Sequence, residues 1–176
     1  MFAPTAWGDR PPAIKSALVP WLTDTGSLTE RLMRTGKVFS VTLLLQGLTP
    51  ASEDEAALID ASPGEPVMSR HVTLALEGRP VVVARSIARQ RALPWRAILD
   101  RGNSPLGLTL FGGNPGIIRA PLLYSEISEG NTLFSLARQH DPAAAHRYPA
   151  RRSNFRLEGE VLNVCEIFLP ALEDFL

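Results

Sequence analysis

Short apolar runs alternate with turn residues along most of the chain. Residues 38–47, VFSVTLLLQG, are β-branched and apolar and predict a strand. Residues 67–89 predict a hairpin: VMSRHVTLAL, then EG, then RPVVVARSIAR. A second hairpin spans residues 150–170, from ARRSNFRL through EG to EVLNVCEIFLP. IIRAPLLYSEI, 117–127, predicts a strand interrupted by Pro121, since proline cannot donate to a sheet ladder.

Helical patterns fall between these runs. AIKSALVPWLT, 13–23, predicts a helix that Pro20 kinks or ends. In SLTERLMRTG, Ser27 and Glu30 form a capping box and Gly36 supplies the stop. Further helices are expected over LPWRAILDRG (93–102), from Ser104-Pro105 onward, and over NTLFSLARQ (131–139). The acidic SEDEAALID, 52–60, reads as a solvated turn or short helix, and HDPAAAHRYP as a loop. Residues 1–12 are Pro- and Gly-rich and predict an irregular arm. Hairpins with helices inserted between them predict an α+β fold on an antiparallel sheet, as one domain over residues 1–176.

Composition narrows the partners. The 176 residues suffice for one core, and 18 basic residues balance 18 acidic ones. Zero net charge argues against nucleic acid as the main partner. Only Lys15 and Lys37 are lysines. Arginine suits two-pronged recognition of carboxylates, although a GC-rich genome produces the same bias. Cys165 is the single cysteine, so no internal disulfide can form. His71, His140 and His146 lack metal-ligand spacing, and no metal is expected. No apolar segment is long enough to span a bilayer and no signal peptide is evident, so the expected location is the cytoplasm.

The candidate chemistry lies in the hairpins. Glu166 stands in the apolar run NVCEIFLP, where an acid is either turned to solvent or part of a site. If each EG is a two-residue turn, Arg70 faces Arg85 in the first hairpin and Glu166 faces Arg151 in the second. Opposed arginines destabilise a sheet unless an anion or a nearby acid sits between them. Arginines plus one acid would make a pocket for a small carboxylate. The other reading is a solvent face, with Glu166 in a surface ion pair. Cys165 should point away from Glu166, into the core, and His71 away from Arg70.

Three blocks, RLMRTGKVFSVTLL, GNSPLGLTLF and RRSNFRLEGEVLNVCEIFLP, resemble the chorismate pyruvate-lyase family in order and spacing. With the first hairpin, the resemblance covers residues 20–170. It implies a single antiparallel sheet of about six strands with helices packed on it and over an internal site. It implies conversion of chorismate to 4-hydroxybenzoate and pyruvate without cofactor, toward ubiquinone, by a monomer. Residue by residue, it assigns the ring carboxylate to Arg70 and a second anion-binding role to Arg85. Glu166 falls at the ring's oxygen end as catalytic acid, base or orienting group. Main-chain contacts fall on Leu106 and Gly107, and a side-chain contact on Leu28. Arg151 would support Glu166. The segment 113–149 looks longer than the family's, and Pro149-Ala150 replaces an aromatic before RRS, which bears on the flaps that close the site. The alternative is a stand-alone domain sensing a small carboxylate effector. It resembles the ligand domain of bacterial transcription regulators, although only about 20 residues precede the matching region, too few for a helix-turn-helix domain.

Overall fold

The computed structural model describes residues 6–176, so the first five residues of the expected arm lie outside the described residues. The helices are α1 (Val19–Thr23), α2 (Leu28–Met33), α3 (Glu53–Leu58), α4 (Leu93–Leu99), α5 (Leu106–Leu110) and α6 (Thr132–Arg138). The strands are β1 (Phe39–Pro50), β2 (Pro66–Leu76), β3 (Arg79–Ala88), β4 (Ile118–Arg119), β5 (Leu123–Ser128), β6 (Arg147–Leu157) and β7 (Glu160–Phe168). A 3₁₀ turn, Pro170–Phe175, follows. The seven strands among the described residues belong to one antiparallel sheet, one more than expected, because the chain breaks around Pro121 into β4 and β5. The order is β1-β2-β3-β7-β6-β4, and β5 also pairs with β6.

Both EG pairs form tight turns. Glu77 (φ 50°) with Gly78 (φ 76°), and Glu158 (φ 52°) with Gly159 (φ 79°), are left-handed at both positions, as a type I′ hairpin turn requires. The Glu77 carboxylate accepts from the Val38 amide at 2.7 Å, which helps hold the glutamate there.

Only the second hairpin keeps the simple register. Arg151 pairs with Glu166, as its turn predicts. In the first hairpin a bulge at Val81 shifts the pairing: Ala75 faces Pro80, but Leu74 faces Val82. Proline has no N–H for the ladder, and a bulge beside it is where a strand tolerates that loss. Beyond the bulge Arg70 faces Ser86 and His71 faces Arg85. The expected Arg70–Arg85 pair is therefore wrong. One extra residue sends the two arginines to opposite faces of the sheet.

The register defines two functional rows on one face. Arg70, Ser86, Val164 and Ser153 lie side by side across β2, β3, β7 and β6. Val72, Ala84, Glu166 and Arg151 form the next row. On the opposite face His71, Arg85, Cys165 and Arg152 are aligned. Helices α2 and α5 lie over the first face, together with α1 and α4. Helices α3 and α6 cover the second.

Three helical expectations change. The first helix starts at Val19, and Pro20 opens it from the first turn, where a missing N–H is harmless. Helix α5 begins at Leu106 with Pro105 as its N-cap, one residue later than Ser104-Pro105 predicts. The acidic 52–60 segment contains helix α3, but it is not simply solvated. Ser52 and Glu55 form a reciprocal capping box there, and Glu55 is buried against the sheet.

Candidate active site

The sheet's first face and the helices over it enclose a pocket whose only charged lining residues, among those described, are Arg70, Arg119 and Glu166. The rest of the wall is mainly apolar, with Leu28, Val72, Leu106, Phe111 and Phe155 among its members. The sheet places the ionic groups. Arg70 and Glu166 stand on adjacent rows and two strands apart. Strand spacing and rise then separate their Cα atoms by about 12 Å.

Arg70 is 2% exposed. Its Nη2 donates to the carbonyls of Gly102 (3.0 Å) and Ser104 (2.9 Å), while its Nε is buried with no partner. No carboxylate among the described residues pairs with it. Burial, and then the charge of Arg101, lower its pKa to about 10, so it stays protonated near neutrality. A buried cation without an acid is costly unless an anion arrives to balance it.

Glu166 has the opposite circumstances. Its carboxylate accepts from Arg151 Nε at 2.6 Å. Arg151 is 1% exposed, and its Nη1 also donates to the carbonyls of Trp21 (3.1 Å), Leu22 (3.1 Å) and Asp24 (2.6 Å). Those oxygens lie at the C-terminal end of α1, where helix carbonyls lack intrahelical partners. Arg151 therefore fixes the acid and ties α1 to the sheet at once. Its guanidinium is spent on these contacts and does not line the pocket.

The roof is α2 crossing α5. Leu28 and Leu106 are buried and line the pocket. Gly107 has no side chain for a specific reason: a Cβ there would stand 2.6 Å from Thr29 Oγ1 on α2. Ser27 caps α2 by accepting from the Glu30 amide at 3.2 Å, which sets the first turn that carries Leu28 and Thr29.

Thus Arg70, Glu166, Leu28, Leu106 and Gly107 converge, with Arg151 behind Glu166. Arg85 does not join them. Across the sheet its Nε and Nη2 donate to Glu55 at 2.6 and 2.9 Å, and its Nη1 to Thr49 Oγ1 (3.1 Å) and His71 Nε2 (2.7 Å). Burial raises the Glu55 pKa, but the hydrogen bonds and charge of Arg85, with Ser52, outweigh it and hold the carboxyl below its usual range. Burial, and then the Arg85 charge, push His71 down to about 4. Cys165 is buried on this same face, and burial raises its thiol pKa strongly. Asp54 pairs with Arg152 beside it.

Sequence reasoning missed Arg119. It sits on the two-residue strand β4, donates from Nε to Ser153 Oγ (3.1 Å) and from Nη1 to the Thr25 carbonyl (2.6 Å), and lies 5.1 and 5.4 Å from the Phe111 and Phe155 ring centres. A basic residue inside an apolar, proline-broken run was the available signal.

A mainly apolar chamber with a buried arginine lies between the sheet and two short helices. Solved structures share this fold. The C-terminal domain of a histidine utilization repressor from Pseudomonas syringae pv. tomato superposes with a TM-score of 0.57 at 12% identity, covering 76% of this chain and 93% of that one. The effector domain of PhnF from Mycobacterium smegmatis does so with 0.57 at 14%, covering 84% and 91%. At such identities the likeness concerns the fold alone. Sequence relatives are nearer. A probable chorismate pyruvate-lyase of Azoarcus sp. (strain BH72) is 41% identical over 177 residues, covering 95% of this chain and 92% of the relative. Another, of Aromatoleum aromaticum, is 40% identical over 174 residues, covering 94% and 92%. The chorismate lyase family profile matches residues 8–174, and the chain belongs to that family of carbon–oxygen lyases.

Proposed function

We propose that this protein converts chorismate to 4-hydroxybenzoate and pyruvate. The observation that carries the reading is Arg70: a buried guanidinium with no acid partner, across a mainly apolar chamber from a positioned carboxylate. In this reading Arg70 takes the ring carboxylate of chorismate, and main-chain groups of Leu106 and Gly107 complete that end. Glu166 meets the C4 oxygen. The C4 hydrogen leaves as a proton and its bonding pair forms the C3–C4 double bond. The C3–O pair departs with enolpyruvate, which takes up a proton and becomes pyruvate. Aromatisation drives the reaction, so the protein's task is positioning and electrostatic support rather than redox or covalent chemistry. No helix among the described residues is long and apolar enough to cross a membrane. The reading has the enzyme act as a cytoplasmic monomer, supplying 4-hydroxybenzoate toward ubiquinone.

The test is direct. Purified protein is incubated with chorismate and 4-hydroxybenzoate is followed by its absorbance. Arg70→Ala and Glu166→Ala should each lose turnover by about 100-fold or more, as expected when a group aimed at the reacting charges is removed. Two folded variants turning over chorismate at near wild-type rate would overturn the residue roles. Tight binding of another acid by the wild type, with no product, would favour the effector-sensing alternative.

A further inference from the structure

We propose that Arg119 is the second anion-binding residue of the pocket and receives the enolpyruvyl carboxylate of chorismate. The inference deepens the functional reading above and rests on it. A dicarboxylate substrate calls for two cationic contacts. Arg85 cannot supply one, since it lies across the sheet with its guanidinium held by Glu55, Thr49 and His71. Arg151 is already committed to Glu166 and three carbonyls. Among the pocket's lining residues that leaves Arg119.

Its placement suits the role. Arg119 Nε is bonded to Ser153, which closes the row that begins with Arg70. The two guanidinium groups therefore occupy opposite ends of one row, with Glu166 on the row beside it. Chorismate carries its carboxylates in the same sense: one on the ring, the other on the ether branch that leaves. Beside the edge-to-face Phe111–Phe155 pair, with Nε donating to Ser153 and Nη1 to the Thr25 carbonyl, the Arg119 fork is kept in one orientation. No salt bridge to an acid neutralises it among the described residues. Arg119 is half-buried, whereas Arg70 at the other end of the row is 2% exposed.

The experiment compares substrate and product. 4-Hydroxybenzoate lacks the ether branch and its carboxylate. Kinetic constants for chorismate and the inhibition constant of 4-hydroxybenzoate are measured for wild type, Arg119→Met and Arg119→Lys. Arg119→Met should raise the KM for chorismate by about 10-fold to 100-fold, the worth of one charge-assisted contact. Product inhibition should stay within about threefold. Arg119→Lys, which keeps the charge without the fork, should fall between. If Arg119→Met does not fold, the lysine variant carries the same comparison. The proposal is overturned if affinity for substrate and product falls in parallel, or if neither changes. Wild-type protein that forms no 4-hydroxybenzoate would instead sink the functional reading itself.

Discussion

The Arg85–Glu55 pair provides a decisive perturbation, because family resemblance points Arg85 at substrate while the sheet register points it away. The two side chains are 8% and 11% exposed and meet through two hydrogen bonds of 2.6 and 2.9 Å. Removing one partner leaves an uncompensated buried charge, at a cost of about 3–5 kcal/mol. For a chain of this size each kcal/mol shifts Tm by about 2–4 °C, so Arg85→Met or Glu55→Leu should lower Tm by roughly 6–20 °C. Replacing both should recover most of the loss, since apolar residues of similar volume often substitute for a buried pair without penalty. A residue of about 1 kcal/mol should remain, because Glu55 also closes the capping box of α3. Calorimetry on the four proteins measures the coupling, and a chorismate assay on the double variant measures function. Its kcat/KM should stay within about threefold of wild type. The reasoning fails if Arg85→Met leaves Tm unchanged and raises the KM for chorismate about tenfold, for then the guanidinium is a ligand and not a structural ion.

Two further outcomes are expected. His71 titrates at about 4 in the folded chain against 6.5 when unperturbed, so the unfolded chain binds more protons between those values. Its contribution to stability is complete above about 6.5 and falls as pH drops toward 4; His71→Gln should flatten a plot of Tm against pH over that window, and an unchanged slope would assign the acid sensitivity elsewhere. Gly107→Ala should push α5 off Thr29, given the 2.6 Å approach, and weaken inhibition by 4-hydroxybenzoate about tenfold; unchanged inhibition would mean that the roof relaxes without disturbing the site.

Much of the site is legible in the chain itself. Glu158-Gly159 marks a two-residue turn, and from that turn alone Arg151 is correctly paired with Glu166. The capping residue Ser27 and the block around Gly107 locate the two roof helices. Arg70 is singled out in the sequence by a pairing with Arg85 that the bulge breaks and by the family resemblance, and its lack of an acid partner is not legible there. Arg119 escapes because a two-residue strand has too few positions to show a period. Glu55 is misread as solvated because its neighbours in SEDEAALID are acidic, and composition cannot show which acid of a helix turns inward.

Local chemistry was enough for the hairpins, their turns and the antiparallel sheet, since these depend on side-chain period and on residues that tolerate φ above zero. The assignment of charges to faces was not local. A single bulge at Val81, next to a proline that cannot join the ladder, reverses the face of every residue beyond it. That shift separates Arg85 from Arg70, hands Arg85 to Glu55 on a helix 30 residues earlier in the chain, and leaves the pocket with Arg70, Arg119 and Glu166. Strand alternation has a period of two, so one inserted residue costs little in backbone pairing yet exchanges core for site, and only contacts between distant segments select the register.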